Sequence, residues 1–85
     1  MRFKIIGNTD PASGRFMARI VAFLNAMPDG QLLTCDALAP RLHYTPDYIR
    51  TRGSRVPPEN RVLHGKRVLY GNPKTIKAFI ASLQN

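Results

Sequence analysis

The sequence has 85 residues, which is enough for one domain with a small hydrophobic core, and we expect a single domain over residues 1–85. Hydrophobic residues make up 44% and charged residues 21%, a balance that excludes a disordered tail. Thirteen lysines and arginines against five acidic residues give a net charge of +8, and so few acids argue against acid–base catalysis.

The positive charge is concentrated in the second half of the chain. Residues 1–40 carry a net charge of +1 and residues 41–85 a net charge of +7. Such an imbalance favours a polyanionic partner: nucleic acid, an anionic membrane or an acidic protein. Residues 1–7 lack the apolar stretch of a signal peptide, and the longest apolar-rich run is too short to span a bilayer. With one cysteine and hence no internal disulfide, we expect a cytoplasmic protein without a membrane partner.

The N-terminal part of the chain predicts a strand followed by a helix. Residues 2–6 alternate polar and apolar side chains, which is typical of a short strand. Residues 9–11 carry a helix-start signal, and Ser13 offers a later one. Apolar residues then recur at helical spacing through 16–27, until the turn residues 28–30 end the helix.

A second helix is predicted after a short extended piece over residues 31–33. Thr34 suits the N-cap position, and Leu38 and Leu42 form the apolar side of this helix. Pro40 conflicts with a regular helix interior because it removes a backbone hydrogen bond. We therefore expect a short or kinked helix.

The third helix is predicted to begin at residues 45–47, with the sequence Thr-Pro-Asp, and to run to Arg52. Gly53 is expected to end it in the left-handed conformation. Residues 54–60 contain two consecutive prolines and predict a loop.

The remaining sequence predicts a β-hairpin and a last helix. The apolar runs 61–64 and 67–70 flank the dipeptide Gly65-Lys66, which is typical of a two-residue hairpin turn. Asn72 predicts the start of a helix that continues towards the C-terminus. The apolar stripe of this helix consists of Ile76, Phe79, Ile80 and Leu83.

This order of elements resembles the winged helix-turn-helix superfamily of DNA-binding domains, over about residues 14–72. The pattern Thr-x-x-x-Leu-Ala-x-x-Leu at 34–42, the turn at 43–44, the helix at 45–52 and the hairpin at 61–70 carry the resemblance. It implies an α+β fold with a three-helix core, a small antiparallel hairpin wing, an N-terminal strand and a C-terminal helix. It also implies a third helix in the major groove of duplex DNA, with the wing on the backbone or in the minor groove.

A third helix that points Ile49 inward would offer these residues to DNA: Thr45, Asp47, Tyr48, Arg50, Thr51 and Arg52. Arg50 is the expected reader of a guanine, because its guanidinium donates two parallel hydrogen bonds. Tyr48 and Thr51 suit a thymine methyl or a phosphate, and Arg52, nearer the core edge, suits a phosphate. Asp47 either accepts from a cytosine amino group or caps its own helix.

The wing and the segment before it provide a second set of expected DNA contacts: Arg55, Arg61, His64, Lys66 and Arg67. Cations at the compact turn around Gly65 reach phosphates readily and can enter a narrow minor groove. Arg55 and Arg61 would connect the helix to the wing in one cationic strip. The free amides at the starts of the second and third helices suit phosphate as well.

We expect no catalytic residues, metal site or cofactor, because the sequence has no carboxylate pair, nucleophile–base set, phosphate loop or metal-ligand spacing. The expected function is sequence-preferring binding of duplex DNA by a small regulator of transcription, replication or packaging, of the kind common in phages. One alternative is a module that binds a larger protein complex, which predicts an exposed apolar patch. The other is a binder of structured RNA. Homodimerisation stays open.

Overall fold

The computed structural model describes the backbone of residues 11–84 and the side chains of residues 14–84. Within this range the protein is α+β, with four α-helices and one two-stranded antiparallel hairpin. The elements are α1 (Pro11–Asn25), α2 (Cys35–Leu42), α3 (Pro46–Arg52), β1 (Arg61–His64), β2 (Arg67–Tyr70) and α4 (Pro73–Leu83). The strand predicted over residues 2–6 lies outside the described residues.

Helix α1 provides one wall of the hydrophobic core. It begins at Pro11, the earlier of the two predicted starts. Phe16, Ile20 and Leu24 are completely buried along its inward stripe, as their helical spacing predicts. The helix ends at Asn25, before the predicted end. Its stripe nevertheless continues, because Met27 is buried in the turn that follows.

Helices α2 and α3 each begin after a threonine N-cap. The Thr34 hydroxyl accepts from the backbone N–H of Ala37, and the Thr45 hydroxyl accepts from that of Tyr48. With Pro40 inside it, α2 has only eight residues, which confirms the expectation of a short helix. His43 ends α2 in the left-handed conformation, with φ of 62°.

Gly53 does not end α3 in the left-handed conformation, so that prediction is wrong. Its φ is −62°, and it begins a 3-10 turn over Gly53–Arg55. The predicted loop also contains a second 3-10 turn, Pro58–Asn60. Glycine is needed at position 53 because of space: a Cβ there would lie 2.6 Å from the hydroxyl oxygen of Tyr70. A contact with a residue this distant in sequence leaves no local signal.

The hairpin has the predicted strands, and the extended piece at residues 31–33 is joined to it. Tyr70 lies opposite Arg61 in the register, and its backbone also pairs with Leu33. The Leu33 N–H donates to the Tyr70 carbonyl at 2.9 Å, and the Tyr70 N–H donates to the Leu33 carbonyl at 2.8 Å. These bonds connect the segment before α2 to the strand that precedes α4.

Two buried asparagines connect the ends of the hairpin to the helices. Asn60 is completely buried, and its amide nitrogen donates to the side-chain oxygen of Asn25 at 2.9 Å and to the Gly71 carbonyl at 3.0 Å. Asn72 caps α4 as predicted, accepting from the Thr75 N–H, and also donates to the Met27 carbonyl. Hydrogen bonds satisfy these amide donors, as buried polar groups require.

Only the first part of the predicted apolar stripe of α4 is buried. Ile76 belongs to the core, and Phe79 is half-buried. Ile80 and Leu83 are 39% and 52% exposed in the described part of the chain. The last helix therefore presents apolar side chains on its outer half.

The close approach of Gly53 to Tyr70 is testable by a double-mutant cycle. Gly53→Ala should lower the free energy of unfolding by about 1–3 kcal/mol, because the new methyl group overpacks the Tyr70 hydroxyl. In a Tyr70→Phe background, where that hydroxyl is absent, the same substitution should be much less costly. Denaturant unfolding of the four proteins measures the coupling energy.

Gly14→Ala is the matched control for this cycle. A Cβ at Gly14 meets nothing within 4 Å, and this exposed position lies inside α1. Alanine there should stabilise the protein by about 0.5–1 kcal/mol through helix propensity alone. An equal loss from Gly53→Ala in both backgrounds would show that the Tyr70 contact is not the reason for the glycine.

Candidate nucleic-acid interface

A groove of about 500 Å³ lies between the first turn of α2, the outer side of α3 and the hairpin. Four basic residues line it: Arg50, Arg61, Lys66 and Arg67. Asp36 is the one acidic residue among the described residues that line it. The folded chain thus brings basic residues from α3 and from the hairpin, both predicted to contact DNA, to one concave surface.

Arg50 lies on the exposed side of α3, as helical geometry predicts, and 59% of its side chain is accessible. Its guanidinium donates to the Asp47 carboxylate three residues earlier, and its Nη2 lies 4.0 Å from the Asp36 carboxylate on α2. Thr45 rather than Asp47 caps the helix. The residue expected to read a base therefore forms exposed ion pairs with two acids in the free protein.

Arg61 is fixed by backbone carbonyls. Its Nε donates to the Val56 carbonyl at 2.7 Å, and its Nη2 donates to the Ser54 carbonyl at 3.4 Å. These bonds attach the start of β1 to the segment that follows α3. Arg61 therefore carries both a structural role and a positive charge in the groove.

Tyr70 forms the base of the groove. It is buried, and its hydroxyl accepts a weak hydrogen bond from the Cys35 thiol, with 3.7 Å between sulfur and oxygen. Burial raises the pKa of Tyr70 far above its ordinary value, and the Cys35 contact raises it further. The phenol therefore stays neutral, and the charge of the groove comes from its rim. No local sequence pattern indicates this position of Tyr70, because it depends on how β2 packs against α2.

Tyr48 and Arg52 are packed against the protein instead of facing outward with Arg50. The Arg52 guanidinium lies 3.7 Å from the centre of the Tyr48 ring, and this ring stacks on Tyr44 with 4.7 Å between centroids and 9° between planes. Phe16 meets both tyrosine rings edge-on. The spacing of Tyr48 and Arg52, four residues apart on a helix, is the sequence signal for this contact.

The remaining predicted contacts fall into two groups. Thr45, Thr51, Arg55, Lys66 and Arg67 are exposed. His64 is also exposed, but its ring packs edge-on against Phe79 of α4, with 5.3 Å between centroids. His64 is not among the residues that line the groove, whereas Lys66 and Arg67 are. The structure therefore brings Lys66 and Arg67, but not His64, to the groove.

The described residues contain no group of three or more His, Cys, Asp or Glu side chains that could hold a metal ion. No helix in residues 11–84 is both long enough and apolar enough to cross a membrane. The sequence matches no known family, and comparisons with characterised proteins and with solved structures find no match either.

The stacking of Arg52 on Tyr48 predicts a contribution to stability. Arg52→Ala should lower the free energy of unfolding by about 1–2 kcal/mol, because it removes a cation–π contact and the packing of the aliphatic stem. Arg55→Ala, at an exposed position three residues later, is the matched control and should change stability by less than about 0.5 kcal/mol. Equal effects in urea unfolding would contradict the structural role of Arg52.

Proposed function

We propose that the chain is a winged helix-turn-helix protein that binds duplex DNA. In this proposal α3 enters the major groove, and the hairpin contacts the backbone or the minor groove. The succession of α1, α2, α3 and hairpin supports it, as does the pairing of Leu33 with Tyr70, which adds an extended segment beside the hairpin.

The packing of α3 supports its use as a recognition helix. Ile49 is completely buried and anchors the helix on the core, whereas Asp47, Arg50 and Thr51 are exposed on its outer side. The Thr45 cap fixes the start of the helix. Because Ile49 keeps the helix packed on the core, the outer side chains can contact base edges while the helix stays in place.

The observation that carries the proposal is the cationic groove between α3 and the hairpin. Two exposed cations at the hairpin turn, Lys66 and Arg67, lie on the same concave surface as Arg50 and Arg61. Cations gathered in one groove attract a polyanion more strongly than the same charges spread over a surface. Phosphates would supply most of the affinity, and Arg50 would supply base preference. The proposed role is that of a small cytoplasmic regulator acting on DNA.

The first test is fluorescence anisotropy of a labelled duplex of randomised sequence at several salt concentrations. Several phosphates neutralised by the groove and by Arg55 should give a slope of log affinity against log salt of about −3 to −6. No binding at low salt would contradict the proposal. Competition with duplex RNA distinguishes a DNA binder from a binder of structured RNA.

The proposal assigns different effects to α3 and to the hairpin. With a preferred site selected from the random pool, Arg50→Ala should remove about 1–3 kcal/mol of discrimination against other sequences. Lys66→Ala and Arg67→Ala should weaken binding to all sequences equally and reduce the salt slope by about 1 each. Anisotropy titrations on the preferred and on a scrambled duplex measure both quantities.

Lys77→Ala is the matched control, because Lys77 is an exposed cation of α4 that does not line the groove. At physiological salt it should change affinity by less than about twofold, because Lys77 lies outside the groove and salt screens its exposed charge. If Arg50→Ala weakened binding to both duplexes equally, its base-reading role would be lost, whereas the phosphate contacts would stand.

A second candidate function is binding to a protein partner. The exposure of Ile80 and Leu83 on α4 favours it, because exposed apolar side chains are typical of interaction surfaces. This candidate predicts no salt-dependent DNA binding. It also predicts that Ile80→Ser/Leu83→Ser abolishes capture of a partner in a pull-down and leaves anisotropy with DNA unchanged.

A further inference from the structure

The groove described above has the size of a small-ligand site as well as the charge of a polyanion site. Its volume of about 500 Å³ falls within the range of clefts that hold small molecules. Its base is the neutral, buried Tyr70, and its rim carries the basic residues. A flat basic surface would suit only an extended polyanion, whereas this concave one can also surround a compact anion.

One of its cations is held in position before any ligand binds. Arg61 donates to the carbonyls of Val56 and Ser54, whereas Arg50 forms exposed ion pairs with the carboxylates of Asp47 and Asp36. A fixed cation loses little conformational freedom when an anion arrives. The pairing of Arg50 with acids reduces the attraction at its side of the groove, so an anion is drawn towards the hairpin side.

The other two cations supply that attraction. Lys66 and Arg67 are exposed at the hairpin turn, and neither forms an ion pair with any residue in the described part of the chain. With Arg61 they give three positive charges in the groove that no acid pairs with among residues 14–84. A single oxyanion carries too little charge to neutralise all three, whereas several linked phosphates carry enough.

We propose that the groove binds an oligophosphate, meaning two or more linked phosphate groups, with Arg61, Lys66 and Arg67 as the principal ligands. The linked phosphates belong either to a free oligophosphate or to successive nucleotides of a nucleic acid. Binding of the free oligophosphate does not depend on the proposed function. Its competition with DNA does, because the same residues would contact the DNA backbone.

The experiment is calorimetric titration of the whole chain with inorganic tripolyphosphate, and with sulfate at matched ionic strength. Tripolyphosphate should bind at least about tenfold more tightly than sulfate. Lys66→Ala and Arg67→Ala should each weaken its binding by about fivefold or more, and the control Lys77→Ala by less than about twofold. Circular dichroism of each variant confirms that these surface changes leave the fold intact.

The outcomes distinguish failure of the site from failure of the proposed function. Equal affinity for sulfate and tripolyphosphate, or an equal loss from Lys77→Ala, would overturn the site in favour of diffuse attraction. Binding of duplex DNA without binding of tripolyphosphate would overturn the site and leave the proposed function standing. Binding of tripolyphosphate without binding of DNA would support the site and contradict the proposed function. Displacement of labelled duplex by tripolyphosphate, beyond the effect of sulfate at equal ionic strength, would support both.

Discussion

The helices and the hairpin of this protein meet at the buried side chain and the paired backbone of Tyr70. The backbone exchanges two hydrogen bonds with Leu33, while the hydroxyl lies against Gly53 and accepts from Cys35. One residue thereby fixes the segment before α2, the first turn of α2 and the end of α3 relative to the last strand. The groove forms because these elements surround the Tyr70 side chain, and their packing determines where the basic residues of its rim lie. Substitutions of Tyr70 should therefore lower the free energy of unfolding before they alter the charge of the groove.

The basic residues of the second half have several different environments. Arg52 stacks on Tyr48, Arg61 holds two backbone carbonyls, and Arg50 is paired with acids. Lys66 and Arg67 are exposed without an acidic partner in residues 14–84. The net charge of the sequence is therefore larger than the positive charge that a ligand can contact freely, because some of the basic side chains are engaged in contacts within the protein. The positive charge of the groove that is exposed and not paired with an acid among residues 14–84 lies mainly at the hairpin turn.

Local signals predicted the elements well. The caps at Thr34, Thr45 and Asn72 and the turn of the hairpin depend on neighbours within four residues, and the structure has all of them. The wrong prediction, a left-handed Gly53, came from a contact between distant segments, because Gly53 is a glycine on account of Tyr70. The packing of Tyr48 also depends on a distant residue, because Phe16 of α1 meets its ring edge-on. The basic residues were expected to form only a strip, since the concavity of the groove depends on how α2, α3 and the hairpin pack together.

The two carboxylates around Arg50 have a consequence for selectivity under the proposed function. A base that takes the guanidinium must break its bond with Asp47 and leave two acids close to the phosphates of the duplex. A well-matched guanine offsets that loss with two new hydrogen bonds, whereas a mismatched base does not. An unmatched sequence is then disfavoured by repulsion as well as by a missing contact. Under the proposed function, Asp36 and Asp47 would oppose the binding of α3 to unmatched sequences. The protein would then bind such sequences mainly through its hairpin.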